Sequence, residues 1–254
     1  MQDNTVYKMD CLEGLGKIED NSVDLIVTSP PYNIGEGGSA FRFKGYDVYN
    51  DKNKNDDYES FLLAVLKESY RILKPSGSLM WNHKIRTVKK VAIHPLKTLF
   101  ETDFKLKQEI IWDLNDTHIH NKDRFYPINE MIYWLVKDEN QTYFNPKSSE
   151  LTTIWKMKRA NKKEEGCLHP APFTIELPKR AIEAMTQIGS LVVDPFNGSG
   201  TTCVIAKKLG RRYIGFDVSQ DYCNLANSRL NEIKEDETEE MRWDLLAREH
   251  GIEL

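Results

Sequence analysis

Apolar runs and amphipathic stretches alternate along this chain, separated by short polar breaks. Val23 to Pro30, VDLIVTSP, is a continuous apolar run rich in β-branched residues and closed by proline, the pattern of a strand covered on both faces. After Asp56 and Asp57, the stretch YESFLLAVLKESYRIL sets Phe61, Val65, Leu66 and Ile72 at helical spacing, and KPSG punctuates its end. GSLMWN reads as the next strand, RTVKKVAIHPLKTLFE as a helix broken near Pro95, and FKLKQEIIWDL and INEMIYWLVK as two more strands. Periodicity fades from Thr142 to His169, which reads as an inserted lobe or a set of loops. A helix over Leu177 to Gln187, the strand SLVVDPF, a glycine turn, the helix TTCVIAKKLG, the strand RRYIGFDV and a helix from Gln220 onward complete the series. This alternation predicts an α/β fold: a mostly parallel, doubly wound Rossmann-like sheet whose ligands gather at the carboxyl ends of its strands.

Composition keeps the picture within one globular domain spanning residues 1–254. At 40% hydrophobic and 29% charged residues, the chain is neither disordered nor fibrous. No apolar run approaches the ~20 residues needed to span a bilayer. The opening MQDNTVYKMD also lacks a basic and then apolar leader, so a cytoplasmic, nucleoid-associated protein without a membrane partner is expected. Cys11, Cys167, Cys203 and Cys223 have no regular spacing and read as reduced thiols rather than a disulfide or zinc framework. The net charge of −4 owes much to the stretch from Asn231, an expected acidic helical tail over 231–254. The remainder is close to neutral and leaves room for a local basic groove.

Two strand ends carry candidate chemistry. The first is Asp194-Pro195-Phe196-Asn197-Gly198-Ser199-Gly200-Thr201-Thr202, where glycines let backbone amides approach a ligand and Asp194 can accept from a cationic or hydroxylated group. One β-α unit later, Gly215-Phe216-Asp217 sets a carboxylate where such folds hold ribose hydroxyls, a reading preferred to that of a cap on the following helix. The second is Thr28-Ser29-Pro30-Pro31-Tyr32-Asn33. Paired prolines stiffen the backbone and remove two donors, so the Ser29 and Pro30 carbonyls form a rigid acceptor arc. An exocyclic amino group of a base supplies matching donors and Tyr32 a stacking face; a plain proline turn with a core tyrosine is the bland alternative.

On these residues the chain resembles the S-adenosylmethionine-dependent DNA methyltransferases that modify the exocyclic amino group of adenine or cytosine. TSPPY matches their catalytic tetrapeptide and DPFNGSGTT their cofactor loop, and the catalytic motif comes first, as in the permuted beta class. MDCLEGLGKIEDNSVDLIVTSPPYN and the segment with His169-Pro170, Phe173 and Leu177 to Arg180 extend the resemblance over most of residues 5 to 230. It implies that Ser29, Pro30, Pro31 and Tyr32 hold the target base for direct methyl transfer without a catalytic cysteine. It implies further that Asp10, Cys11, Thr28, His169, Phe173, Asp194, Pro195, Phe196, Gly198, Ser199, Gly200, Thr201 and Asp217 enclose S-adenosyl-L-methionine. Ser29 stands where many adenine enzymes carry Asp; both bases remain open, with a lean to cytosine N4.

The expected partner is double-stranded DNA carrying a specific short recognition sequence, with a homodimer and a cognate restriction endonuclease as further partners implied by the resemblance. Target recognition is expected within about 102–165. There Trp112, Asn115, Asp116, His118, His120, Asn121, Lys122 and Arg124 mix polar and aromatic groups, and Lys156, Lys158 and Arg159 begin a basic run. Each of these is also an ordinary solvated residue. His118 and His120 have no acidic or cysteine partner at ligand spacing, so no metal site is expected. The glycines at 35, 37 and 38 suggest a lid after Tyr32. An RNA or protein amide methyltransferase, a non-catalytic DNA-binding subunit and a dinucleotide oxidoreductase are the competing readings; the last leaves TSPPY unexplained.

Overall fold

A computed structural model describes residues 1–32, 55–88, 90–115, 125–148, 151–158 and 174–233. In chain order these form β1 (Thr5–Lys8), α1 (Cys11–Leu15), β2 (Val23–Thr28), α2 (Asn55–Ile72), β3 (Leu73–His83), β4 (Arg86–Val88), β5 (Val91–Ile93) and α3 (Leu96–Leu99). There follow β6 (Lys105–Asp113), β7 (Asn129–Val136), β8 (Ile154–Lys156), α4 (Glu176–Met185), β9 (Leu191–Asp194), α5 (Thr201–Lys208), β10 (Arg212–Asp217) and α6 (Gln220–Asn231). Among the described residues, no helix is long and apolar enough to cross a membrane.

One sheet runs in the order β1-β10-β9-β2-β3-β7-β6-β8. The pairs from β1 to β3 are parallel, β7 lies antiparallel to both β3 and β6, and β8 joins β6 in parallel. The period of two sorts side chains onto two covered faces. Leu25, Val27, Met80, Ile132, Trp134 and Val192 face α4, α5 and α6, while Val23, Ile26, Leu79, Trp81, Tyr133 and Val193 face α1 and α2. Burial on both faces is why β2 and β9 read as unbroken apolar runs in sequence.

From β9 the chain winds outward to β10, and from β2 it winds the other way to β3, so the strand order reverses between β9 and β2. A doubly wound sheet opens its ligand crevice at that reversal, beside the carboxyl ends of the two strands. The motifs singled out in the sequence stand there, Thr28 closing β2 and Asp194 closing β9.

The structure corrects three local expectations. Arg86 to Glu101 is not a helix: β4 and β5 form a hairpin, and only Leu96–Leu99 is helical. Thr87, Val88, Val91 and Ile93 favour extended backbone, and Lys90 takes the left-handed conformation (φ 68°) at the turn. The helix ends at Ile72, just ahead of KPSG as expected, but the following strand begins at Leu73 rather than at Gly77, so KPSG lies inside β3, where the register to β2 jumps from Val23↔Leu73 to Leu25↔Ser78. Pro75, which has no N–H to give a ladder, fits such an irregularity. Lastly, the stretch from Thr142 to His169, read as an inserted lobe or a set of loops, contributes from its described part the strand β8 to the common sheet, with Trp155 and Met157 buried in the core.

Candidate active site

Three neighbouring strands each present a carboxylate at the same edge of the sheet. Asp194 closes β9, Asp217 closes β10, and Asp10 follows β1, whose Lys8 is the register partner of Asp217. Asp194 is buried, and its Oδ1 accepts from the Thr28 hydroxyl at 2.7 Å and the Phe196 amide at 3.1 Å. Desolvation pushes its pKa up to about 6 despite these bonds. Asp217 accepts from the Gly198 amide at 3.0 Å and the Ser219 amide at 2.8 Å, and burial raises its pKa as well. It does not cap α6, a task taken by the Ser219 side chain. Asp10 caps α1 through Oδ1, which accepts from Leu12 N and Glu13 N. Among the described residues, none of the three is paired with a lysine or arginine.

The loop between β9 and α5 is braced from several sides. Gly198 and Gly200 have positive φ, and a Cβ on Gly200 would lie 2.6 Å from the Ala226 Cβ, so the turn depends on glycine. Asn197 N donates to Phe216 O, and Cys203 Sγ lies 3.0 Å from Asn197 Oδ1. Arg229 of α6 donates to the Ser199 carbonyl and to the Ser199 and Thr201 hydroxyls, so these two side chains hold the loop in place. Pro195 is buried, and Phe196 packs edge-on against Phe61 at 6.0 Å. Cys11 is buried at the start of α1; its thiol, like those of Cys203 and Cys223, is pushed up by burial and stays protonated at neutral pH.

The Ser-Pro-Pro-Tyr segment is clamped from both faces of the sheet. On one face, the Tyr32 hydroxyl lies 2.6 Å from Ser29 Oγ, 3.0 Å from Asn82 Oδ1 and 3.2 Å from Glu130 Oε2. Asn82 is oriented by its own amide, which donates to Met131 O, and Glu130 pairs with Lys84 at 3.1 Å. On the other face, Tyr58 of α2 donates to the Pro31 carbonyl at 2.6 Å and contacts His83 Nε2 at 2.9 Å. Burial pushes His83 down to about 4, so it is neutral near pH 7. Opposite parity of Asn82 and His83 on β3 explains the double clamp.

Sequence reasoning overlooked this second circle of Tyr58, Asn82, His83, Lys84 and Glu130. The available signal was polar residues at the ends of apolar strands, Asn82-His83 closing one and Asn129-Glu130 opening another. Trp112, expected in a base-reading cluster, is instead a core residue whose indole N–H donates to Met157 O. Asn115 sits in a turn where its N–H meets Asp113 Oδ1. Lys156 and Lys158 are exposed on either side of buried Met157. His118, His120, Lys122, Arg124, Arg159, His169 and Phe173, the expected lid after Tyr32 and residues 234–254 of the acidic tail lie outside the described residues.

Comparison with known proteins adds the decisive observation: a family model described as a DNA methylase, covering N6 and N4 enzymes, matches residues 23–228. The chain belongs to this DNA methylase family. The methylase is 32% identical over 252 residues to the type II methyltransferase M.HinfI of Haemophilus influenzae, covering 91% of this chain and 69% of the relative. It is 29% identical to the type II methyltransferase M2.DpnII of Streptococcus pneumoniae, with 87% of each chain covered. Among solved structures, the cytosine-N4-specific PvuII DNA methyltransferase shares the fold with a TM-score of 0.74 at 22% identity, over 100% of this chain and 94% of that one. The Thermus thermophilus protein TTHA0409, solved in complex with S-adenosyl-L-methionine, shares it with a TM-score of 0.66 at 24% identity, over 89% of this chain and 92% of that one.

Proposed function

We propose that this methylase transfers a methyl group from S-adenosyl-L-methionine to the exocyclic amino group of a base flipped out of double-stranded DNA, with cytosine N4 as the acceptor. The carrying observation is the Thr28–Asp194 hydrogen bond of 2.7 Å, which fastens the end of the tetrapeptide strand to the end of the glycine-loop strand. The residues fit the cofactor. Three carboxylates without a cationic partner among the described residues, next to a loop that only glycine can form, suit a ligand cationic at one end and hydroxylated at the other. Asp194 with the backbone of Gly198 and Gly200 would hold the methionine end, and Asp217 and Asp10 the nucleoside end; His169 and Phe173 join them on sequence resemblance.

S-adenosyl-L-methionine supplies an electrophilic methyl on sulfur when bound. Ser29 Oγ and the Pro30 carbonyl accept from the amino group, and the Tyr32 ring replaces part of the stacking a flipped base gives up. Positioning and electrostatics then account for the rate, since a thioether leaves without acid help. Cytosine is assigned from Ser29, a hydroxyl where a carboxylate would polarise adenine more strongly. Residues within 102–165, including His118, His120, Lys122, Arg124, Lys156, Lys158 and Arg159, read the recognition sequence and track its phosphates. Self-association, a cognate endonuclease and action on DNA in the cytoplasm complete the proposal; the type II names of the relatives favour the endonuclease partner.

Incubating the protein with unmodified plasmid DNA and S-adenosyl-L-methionine, digesting to nucleosides and weighing them by mass spectrometry tests the reading. N4-methylcytosine is expected. N6-methyladenine would keep the enzyme class and overturn the base assignment; methyl appearing on RNA or protein instead would overturn the substrate.

A further inference from the structure

We propose that Glu130 is the carboxylate partner of the catalytic tetrapeptide, acting on the target amino group through the Tyr32 and Ser29 hydroxyls. This rests on the methyl-transfer reading above. An amino nitrogen gaining a methyl turns positive and must shed a proton. A serine hydroxyl can accept a hydrogen bond from it but cannot itself retain that proton at neutral pH. The tetrapeptide of this chain therefore lacks a group that can carry negative charge, and the structure brings one from elsewhere.

Because β7 runs antiparallel to β3, its first residues stand at the same sheet edge as the last residues of β2 and β3. Glu130 enters there, only 8% exposed, with Oε2 3.2 Å from the Tyr32 hydroxyl and Oε1 3.1 Å from Lys84 Nζ. Among the described residues, the charged and titratable groups facing it are Lys84, beyond β3, and Tyr32; its register partner on β6, Trp112, brings none. Counting protons orders the chain of contacts. Asn82 Oδ1 and Glu130 Oε2 are both acceptors toward Tyr32, since the Asn82 amide nitrogen is donated to Met131 O. The Tyr32 proton is directed at these two, so in the 2.6 Å contact Ser29 is the donor and Tyr32 the acceptor. Ser29 then offers its lone pairs to an incoming N–H.

The step balances without further reagents. As the new N–C bond forms and the C–S bond breaks with its electron pair going to sulfur, negative charge at Glu130 steadies the nitrogen through the two hydroxyls. The nitrogen's surplus proton passes to Ser29 Oγ, Ser29's proton to Tyr32 Oη, and Tyr32's proton to Glu130. Both hydroxyls end as they began, and Glu130 ends as a neutral acid. It releases the proton to water beside Lys84, whose side chain is 40% exposed.

Two measurements test this, the first on the free protein. With tyrosines 13C-labelled at Cζ and the Tyr32 signal identified by its loss in Tyr32→Phe, that signal should shift with a carboxyl titration in the wild type and not in Glu130→Gln. The same shift in Glu130→Gln would overturn the coupling. In single-turnover transfer at saturating DNA and S-adenosyl-L-methionine, Glu130→Gln and Tyr32→Phe should each lose about 100-fold, the low end for general base catalysis. Calorimetric affinity for S-adenosylhomocysteine should stay unchanged. The double variant should be no slower than the slower single one, because Glu130 acts through Tyr32; losses that multiply, or an unimpaired Glu130→Gln, overturn the proposal. A wild type that methylates no DNA would instead overturn the methyl-transfer reading, and the titration would still decide whether Glu130 and Tyr32 are coupled.

Discussion

The Thr28 hydroxyl and the Asp194 carboxylate meet at 2.7 Å although 166 positions separate them in the chain, and the Phe196 amide donates to the same Asp194 oxygen. An asparagine at 194 keeps an oxygen for both donors, turns the second carboxylate oxygen into an amide and gives up the charge.

Asp194→Asn should accordingly make the free protein more stable at pH 7 while weakening the cofactor. Raising a buried carboxyl from 3.8 to about 6 corresponds to about 3 kcal/mol, an upper value for the gain. Urea denaturation with and without S-adenosylhomocysteine checks it: the variant's midpoint should rise in the absence of ligand and respond far less than the wild type to its addition.

Asp194 and His83 oppose each other in pH dependence. Asp194, raised in the folded state, contributes stability that is full below 3.8 and lost as pH rises through about 6. His83, lowered in the folded state, contributes stability that is present above 6.5 and lost as pH falls through about 4. Relative to wild type, His83→Gln should gain stability as pH falls from 6 to 4, and Asp194→Asn should lose it. Denaturation midpoints at several pH values in that range would show parallel curves if the two groups did not matter.

Tyr58→Phe removes the donor to the half-buried Pro31 carbonyl and the partner of the buried His83 Nε2. A thermal stability loss of about 1–3 kcal/mol is expected from the unsatisfied groups. Turnover should fall while affinity for S-adenosylhomocysteine holds, because the clamp acts on the tetrapeptide and not on the glycine loop. Equal loss of both would show that the two loops move as one.

Gly200→Ala meets two obstacles, a φ of 83° and the Ala226 Cβ at 2.6 Å. Left-handed strain alone costs about 1–3 kcal/mol. Adding Ala226→Gly should relieve the contact and leave the strain, so the double variant should melt between Gly200→Ala and wild type, as calorimetry would record.

The sheet was legible in the sequence wherever burial on both faces left continuous apolar runs, as in β2 and β9. Legibility failed where pairing is local and short. Val91 to Ile93 carries too few residues to display a period, and a left-handed Lys90 has no glycine to announce it. The motif residues themselves could be read, because Ser29 to Tyr32 and Asp194 to Thr201 are contiguous. Tyr58, Asn82, His83 and Glu130 could not, since only the folded sheet brings α2, β3 and β7 to one edge. Trp112 misled for a related reason: an aromatic beside polar residues looks the same whether its indole faces a base or, as here, the Met157 carbonyl.

Strand order also governs assembly. Among the described residues β1, the first strand in the chain, pairs only with β10, and β2 takes β9 as one neighbour. Contacts this distant in sequence slow folding, and their partners leave the ribosome late. Pro30 and Pro31 are therefore synthesised early and seated near the end. A nascent chain that stops short of β10 holds the whole tetrapeptide, a first strand without β10 to pair with, and no Asp217 at the sheet edge.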